Sequence, residues 1–189
     1  MNIYGKKVIL RAMEKTDLEL VKNLFNDRKV EHLVLGWSFP LSSYQQEKWF
    51  EAHYADQNNF RFIIDVDGIG GVGIATLTDI DWKNRRAEHG IKILSDENRG
   101  KGIGTDAVMA IMRYAFDELQ LVRLNGGWFL DNKSSQNMYM RCGWKEEGIR
   151  KKYVYQDGYY KDIMMAGILA EDYYKMVEEK KYWNESKTY

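Results

Sequence analysis

The feature that most constrains the chain is a glycine-rich segment, Asn98–Asp106, which reads Asn-Arg-Gly-Lys-Gly-Ile-Gly-Thr-Asp. It follows an apolar, strand-like run, Ile91–Leu94, and it precedes a long amphipathic helical pattern. Glycine permits positive φ angles and lets a ligand approach the backbone closely. A helix N-terminus adds unpaired N–H groups and a partial positive charge. A strand, a glycine loop and a helix start in this order therefore predict an anion-binding site, with phosphate as the typical ligand.

The composition argues against several classes of protein. The chain has 189 residues, of which 44% are apolar and 30% charged, as expected of one globular domain. Its 28 basic side chains equal its 28 acidic ones, which is not the basic excess of a nucleic-acid-binding protein. No apolar run approaches the roughly 20 residues that span a bilayer, and the N-terminal residues lack the apolar core of a signal peptide. We therefore expect a cytoplasmic protein that binds neither nucleic acid nor membrane.

The apolar periodicity predicts the order of helices and strands. Two capping boxes predict helices over about Asp17–Lys29 and from Ser43 to about Ala55. The chain then changes to strand-like segments, and Asp67-Gly68 is a hairpin turn sequence. This order predicts an α+β (α/β) sandwich with a single mixed, mostly antiparallel central sheet and helices on both faces. The remaining predicted elements are strands at Phe60–Asp65, Val72–Leu77, Ala87–Leu94, Leu121–Leu130, Trp144–Glu147, Lys151–Gln156 and Tyr159–Leu169, a polar connection at Asp79–Arg86, and helices at Lys133–Arg141 and Ala170–Trp183.

Two familiar phosphate-binding motifs do not fit the glycine segment. The P-loop requires a Gly-Lys-Ser/Thr ending, which is missing here. The dinucleotide fingerprint, started at Gly100, requires a third glycine where Thr105 stands, and it belongs to an opening βαβ unit rather than to antiparallel hairpins. The pattern that remains is Arg99-x-x-Gly102-x-Gly104.

This pattern resembles the acyl-CoA signature Q/R-x-x-G-x-G/A of the GNAT superfamily of N-acetyltransferases. Downstream, Asn132–Trp144 resembles the N-x-x-(S/A)-x-x-x-Y-x-x-x-G-F segment of that superfamily, with Trp in place of Phe. Glu147–Arg150 and Asp157–Asp162 are similar to the ending of the branch that holds ribosomal-protein N-terminal (RimJ/RimL-type) and spermidine acetyltransferases. The resemblance extends over about residues 7–169. It implies a GNAT-like domain with a splayed acyl-CoA cleft, which we assign to residues 1–170, followed by a C-terminal helix and tail at 171–189.

The resemblance implies that acetyl-CoA is the co-substrate and that no metal takes part. The backbone of strand residues Ile91, Lys92 and Ile93 would pair with the amide-bearing pantetheine arm. A bulge near Gly90 would open the cleft, and Asn132, with Asn137 as a second candidate, would hydrogen-bond the arm. The residues expected to bind the pyrophosphate are Arg99, Gly100, Lys101, Gly102, Ile103, Gly104 and Thr105.

Acetyl transfer to an amine requires a neutral amine and a protonated or stabilised thiolate. The resemblance assigns the acid to Tyr139, which would otherwise be interpreted as a core tyrosine. Glu88 is the best candidate for the general base, acting directly or through water, and the alternative is an ion pair with Arg85 or Arg86. His89 should point to the opposite face of the strand. A covalent mechanism at Cys142 is disfavoured, because no histidine lies near it in sequence.

The acceptor is a primary amine of open identity: a polyamine, an amino sugar, an antibiotic amine or a protein N-terminus. It is expected between the first two helices and the final hairpin. A non-catalytic acyl-CoA-binding or regulatory module on the same fold is the alternative to an enzyme. The C-terminal aromatic residues Tyr173, Tyr174, Tyr182 and Trp183 suggest a self-association surface, as in a homodimer. The expected acceptor site contains the aromatic residues Trp37, Phe39, Tyr44, Trp49, Tyr155, Tyr159 and Tyr160 and the scattered acids Glu31, Glu47 and Glu51.

Overall fold

The computed structural model describes residues 1–36, 39–53, 55–94 and 96–183. These residues form one open sheet of eight strands with helices on both faces, which confirms the predicted fold class. In chain order the elements are β1 (Ile3–Tyr4), β2 (Val8–Ala12), α1 (Leu18–Asn26), α2 (Arg28–Glu31), α3 (Ser43–His53), β3 (Phe60–Val66), β4 (Gly70–Asp81), β5 (Arg86–Ile93), α4 (Ile103–Arg113, continued by a π-helical turn over Tyr114–Glu118), β6 (Arg123–Phe129), α5 (Lys133–Arg141), β7 (Lys145–Gln156), β8 (Tyr159–Leu169) and α6 (Ala170–Lys180).

The spatial order of the strands is β1-β2-β3-β4-β5-β6-β8-β7. Every neighbouring pair among them is antiparallel except β5 with β6. Parallel strands require a crossover connection, and here the glycine segment and α4 provide it. The glycine segment therefore lies beside the one parallel junction of the sheet.

The two faces of the sheet bury separate clusters of apolar side chains. The larger cluster packs α4 and the C-terminal helix on one face, with Ala107, Val108 and Ile111 fully buried. On the other face, Val21 and Leu24 of α1 pack against Ile63 and Ile74. The strands contribute apolar side chains to both clusters, because successive side chains along a strand point to opposite faces of the sheet.

The parallel junction is short, and this opens the sheet. β5 pairs with β6 only from Arg86 to Glu88, whereas it stays paired with β4 as far as Ile93. β6 meanwhile stays paired with β8 through Phe129. The two strands therefore diverge after Glu88 and leave a gap, as expected for a splayed acyl-CoA cleft. The predicted bulge at Gly90 is wrong, because Gly90 pairs in register with Thr76 and the irregularity of β4 lies between Thr78 and Asp81.

Two strand predictions are corrected by long-range pairing. Residues 79–81 belong to β4 rather than to a polar connection, because Ile80 is buried and Asp79 bulges out at a φ of 50°. The two strands predicted in 144–156 are one strand, β7. β7 pairs with β8 along its length. The segment between the two predicted strands appears as register shifts in this pairing, between Glu146 and Gly148 and between Arg150 and Val154.

The ends of two helices also differ from the prediction. The first predicted helix divides at Asp27, whose extended backbone ends α1 and whose carboxylate accepts the N–H groups of Lys29 and Val30 to begin α2. The C-terminal helix ends at Lys180. Tyr173 of that helix is only 1% exposed, so it belongs to the core and not to a self-association surface. Among the helices of the described ranges, none has the length and apolarity needed to cross a bilayer.

Candidate active site

The gap between β5 and β6 contains two clefts that meet at Ile91 and Ser135. The larger, of about 890 Å³, passes through the sheet between the diverging strands and is lined by Glu88, His89 and Tyr139. The smaller, of about 360 Å³, lies over the glycine segment and the N-terminus of α5. One elongated ligand can therefore pass from the glycine segment into the gap in the sheet.

The glycine segment has the backbone geometry expected of an anion cradle. Gly102 precedes α4 in the left-handed region, at a φ of 83°, and no side chain caps the helix. Asp106 donates the first intrahelical hydrogen bond, to the Gly102 carbonyl, so the N–H groups of residues 103–105 are not used within the helix. The position of Gly104 is crowded, since a Cβ there would lie 2.8 Å from the Met138 sulfur. Gly102, Gly104 and Thr105 line the smaller cleft, so backbone N–H groups that the helix does not use lie at its wall.

The predicted pyrophosphate residues fall into two groups. The smaller cleft is lined by Arg99, Gly100, Gly102, Gly104 and Thr105. Arg141 of α5, which no sequence motif indicated, also lines it. The other two do not line it with side chains: Ile103 is buried in the core with only its N–H available, and Lys101 is exposed.

The N-terminal loop holds the glycine segment in place, and no local sequence pattern predicted this contact. The Asp106 carboxylate accepts the N–H groups of Lys6, Lys7 and Val8 at 3.0, 2.6 and 3.1 Å. The Lys7 ammonium in turn donates to the Lys101 carbonyl over 2.8 Å. The loop after β1 is thereby tied to both the glycine segment and the first turn of α4.

The open edge of β5 is suited to a ligand with amide groups. Beyond Glu88 this edge is not paired with β6, and the Ile93 carbonyl already accepts a long hydrogen bond from Arg99, at 3.4 Å. Ile91 and Ile93 point toward Gly104 and α4, whereas Lys92 points to the other face, with its ammonium 4.2 Å from the centre of the Phe25 ring. The free backbone groups at this edge and the N–H groups of the cradle together fit the pantetheine arm and the pyrophosphate of coenzyme A.

The two predicted asparagines are placed differently. Asn132 caps α5, because its side chain accepts the Ser135 N–H at 3.0 Å and donates to the Leu33 carbonyl at 2.8 Å. It lines the smaller cleft. Asn137 is exposed and lines neither cleft. The structure therefore brings Asn132 into the site and leaves Asn137 outside it.

Tyr139 lies in an aromatic cage on the α4 side of the gap. Its ring stacks on Trp128 at 5.5 Å and meets the edges of Trp144 and His89 at 4.9 and 5.8 Å. The residue lines the larger cleft. Burial raises the pKa of this phenol well above its usual value. The cage fixes the ring, and the phenol keeps its proton at neutral pH.

His89 lies in the same cage as a neutral imidazole. Its Nδ1 is 3.0 Å from the Thr76 carbonyl, which only accepts, so Nδ1 carries the hydrogen. Its Nε2 is buried and has no partner in the part of the chain that the structure describes. Burial lowers the pKa of His89 to about 4.

Glu88 lies on the opposite face of β5, at the point where the strands part. Its carboxylate accepts a hydrogen bond from the Asn125 amide over 3.0 Å. The alternative ion pairs are not formed: Arg86 pairs with Asp81, and Arg85 donates to the Gln120 carbonyl. Glu88 is the only carboxylate among the described residues that line the larger cleft.

Cys142 lies outside both clefts. It is buried at the end of α5, its sulfur is 3.9 Å from the Thr105 carbonyl, and burial raises the pKa of its thiol to about 12. A thiol of such high pKa is a poor nucleophile at neutral pH.

Only some of the aromatic residues expected in the acceptor site line the cavities. Phe39 and Tyr155 line the larger cleft, and Trp49 lines a third cavity beside it. Tyr44, Tyr159 and Tyr160 are exposed, and Trp37 lies outside the described residues. The three expected acids line none of these cavities: Glu31 bonds Gln156, Glu51 pairs with Lys48 and Glu47 is exposed. Across the described ranges, no three His, Cys, Asp or Glu side chains are grouped to hold a metal ion.

Comparison with known proteins agrees with this geometry. The family model of the acetyltransferase (GNAT) domain matches residues 7–145. The chain is 27% identical to the spermidine N(1)-acetyltransferase of Vibrio cholerae over 170 residues, which cover 89% of this chain and 96% of that one. It is 33% identical to the putative ribosomal N-acetyltransferase YdaF of Bacillus subtilis, over 89% of this chain and 94% of that one.

Among solved structures, the fold is similar to that of spermidine N-acetyltransferase from Vibrio cholerae in complex with CoA and spermine. The TM-score is 0.84 at 26% identity, and the match covers 90% of this chain and 99% of that one. The named relatives are enzymes, which disfavours a non-catalytic module. The chain belongs to the GNAT acetyltransferase family and is an acetyl-CoA-dependent N-acetyltransferase.

Proposed function

We propose that this enzyme transfers the acetyl group directly to a small primary amine held in the larger cleft. The observation that carries the proposal is the position of Tyr139 and Glu88, which reach the same gap from opposite faces of the sheet. A caged phenol is available on one side of the gap and a carboxylate on the other. Direct transfer needs an acid and a base separated in this way.

The donor would lie along the two clefts. The N–H groups of residues 103–105, with Arg99 and Arg141 nearby, are proposed to hold the pyrophosphate. The unpaired edge of β5 would hydrogen-bond the pantetheine amides, and Asn132 would contribute through its remaining amide hydrogen. This arrangement brings the thioester to the gap beside Tyr139.

In the proposed reaction one carbon–nitrogen bond forms, one carbon–sulfur bond breaks and two protons are transferred. The amine nitrogen attacks the thioester carbonyl carbon, and the carbon–sulfur bond breaks as the tetrahedral intermediate collapses. The leaving sulfur takes the phenolic proton of Tyr139, and the proton lost by the nitrogen passes to Glu88, directly or through a water molecule. Proton exchange with solvent then reprotonates the Tyr139 phenolate and deprotonates Glu88. Because burial raises the pKa of Tyr139, this phenol is fully protonated before each turnover.

The named relatives make spermidine a first candidate acceptor. The charges of the larger cleft do not match a polycation, since Glu88 is accompanied by two cations, Lys92 and Arg150. A primary amine is therefore supported by both comparisons and geometry, whereas a polyamine is supported by the comparisons alone.

The test is a screen of acceptors with acetyl-CoA, including spermidine, amino sugars, amino acids and short peptides. Thiol release would be followed colorimetrically, and the product would be identified by mass spectrometry as the mono-acetylated amine. We expect enzyme-dependent thiol release with at least one small amine. Binding of acetyl-CoA by calorimetry without turnover of any amine would contradict the proposal.

A further inference from the structure

A third cavity, of about 510 Å³, continues the larger cleft on the face of the sheet that carries α1 and α3. The two share Gly36, Ile74, Thr76, Thr78 and Lys92, so a ligand can extend from one into the other. The walls of the third cavity are mostly apolar. The main apolar contributions come from Val21, Phe25, Leu41 and Trp49.

One polar group of this cavity is a hydrogen-bond donor without an acceptor among the described residues. Gln46 is 2% exposed, and its amide nitrogen has no hydrogen-bond partner among the described residues. A buried donor without an acceptor costs about 1–3 kcal/mol, so a ligand oxygen that met it would bind favourably.

The third cavity also contains two cations, Lys92 and Arg61. The ammonium of Lys92 lies over the Phe25 ring and forms no ion pair within the described ranges, and burial lowers its pKa to about 8. The Arg61 guanidinium stacks over Trp49 at 4.9 Å and donates to the Asn59 carbonyl at 3.2 Å. The charges of Asp56 and Asp79 also act on Arg61, but neither residue lines this cavity. The described residues that line this cavity include no Asp or Glu. The cavity thus presents positive charge and an unpaired amide in an apolar setting.

We propose that this cavity binds the far end of the acceptor, and that this end is an apolar body carrying an anionic oxygen group such as a carboxylate. The inference rests on the proposed function, because it takes the reacting amine to lie between Glu88 and Tyr139. Glu88 and Lys92 are four residues apart on one face of β5, so their Cα atoms are separated by about 13 Å. The acceptor is an amine at one end and an anion at the other.

A polyamine is disfavoured by the same residues. Its second ammonium would enter a cavity that already contains Lys92 and Arg61 and offers no carboxylate among its described lining. Like charges repel strongly where burial excludes water. The acceptor class therefore differs from the polyamine named for the relatives, although the fold and the donor site are shared.

The test compares acceptors of equal length that differ only at the far end. The probes are aminobutanoate, aminohexanoate and aminooctanoate with terminal amines, the n-alkylamines of the same lengths, and the corresponding diamines. We expect kcat/KM for the best aminoalkanoate to exceed that of its alkylamine by about tenfold, the effect of one charge-assisted hydrogen bond. The diamine should rank last.

Substitution of Lys92 then tests whether this residue causes the preference for aminoalkanoates. Lys92→Met should reduce the ratio of kcat/KM between aminoalkanoate and alkylamine about tenfold, and Lys92→Arg should retain most of it. Lys83→Met is the matched control, since Lys83 is exposed and lines no cavity. Thermal melting establishes that each variant is folded.

The outcomes separate the two proposals. Preference for diamines, or an unchanged ratio in folded Lys92→Met, would overturn the inference and leave the proposed function intact. Failure to acetylate any amine in the series or in the wider screen would overturn the proposed function itself. The ranking measured on the unaltered enzyme tests the inference even if Lys92→Met does not fold.

Discussion

Glu88 and Asn125 are the last pair of the parallel ladder between β5 and β6, and their side chains are also joined, with the Asn125 amide donating to the Glu88 carboxylate over 3.0 Å. Beyond this pair the strands diverge and the cleft begins. The hydrogen bond therefore fixes a carboxylate at the apex of the gap. On the far side of the sheet, the Tyr139 ring contacts His89, the residue next to Glu88.

Glu88→Gln tests the proposed base. Glutamine keeps the shape and retains an oxygen that accepts from Asn125, but it cannot take a proton. We expect kcat/KM for the amine to fall about a hundredfold at neutral pH, within the usual range for general bases. Because a free amine needs no base, the deficit should shrink as the pH is raised. Glu47→Gln, at an exposed position outside the cavities, is the control, and an undiminished rate in Glu88→Gln would exclude the role.

Tyr139→Phe tests the proposed acid. Phenylalanine keeps the stacking on Trp128 and removes only the hydroxyl, so the cage should remain intact. We expect kcat to fall about a hundredfold while calorimetry shows that acetyl-CoA still binds. Tyr174→Phe is a matched control, because its hydroxyl bonds Asp117 at the surface. A Tyr139→Phe enzyme that binds acetyl-CoA and turns over at the full rate would exclude the role.

Gly102→Ala tests the anion cradle through its backbone. At a φ of 83°, alanine is strained by about 1–2 kcal/mol, and relief of the strain would turn the N–H groups of residues 103–105 away from the cleft. We expect weaker binding of acetyl-CoA together with lower stability.

The matched control for Gly102 is Gly68→Ala, in the turn between β3 and β4. Gly68 has a similar φ of 73°, and nothing lies within 4 Å of an added Cβ. At Gly102 the nearest atom to an added Cβ is the nitrogen of the flexible Lys7 side chain, at 3.2 Å. Both variants should lose similar stability, measured by denaturant unfolding, but only Gly102→Ala should lose affinity. Equal affinities in the two variants would show that the cradle is not used.

His89 makes the stability of the fold sensitive to acid. The unfolded chain protonates this histidine near its usual pKa of 6.5, whereas the folded chain does so only near pH 4. Between these values the unfolded state binds more protons, so stability falls as the pH is lowered through this window. The full effect is about 3 kcal/mol.

The measurement is urea unfolding at a series of pH values from neutral to acid. His89→Gln should lose less stability than the unaltered protein across the window, while His53→Gln, at an exposed position, should follow the unaltered protein. If His89→Gln and the unaltered protein show the same dependence on pH, the neutral buried state of His89 would be contradicted.

Local sequence patterns predicted many of the helices and turns of this protein. The helix after the glycine segment and the limits of α5 at Lys133 and Arg141 were predicted correctly. These features depend on residues that are close in sequence, since positive φ angles, capping and helical periodicity are local properties. The same local properties predict an anion site in the loop Arg99–Thr105, and the resemblance of the motifs predicts the donor.

The tertiary structure decided what surrounds that loop. Strand alternation separates Lys92 from Ile91 and Ile93, but it does not say which face meets α1 and which meets α4. The gap opens after Glu88 because β5 and β6 follow different partners, β4 and β8, and the same long-range pairing moved the irregularity from Gly90 to β4. Tyr173 was predicted at the surface and is buried for a similar reason, because its neighbour Phe116 comes from another helix. Contacts between distant segments determine burial and charge in the acceptor site, and no local pattern contains them.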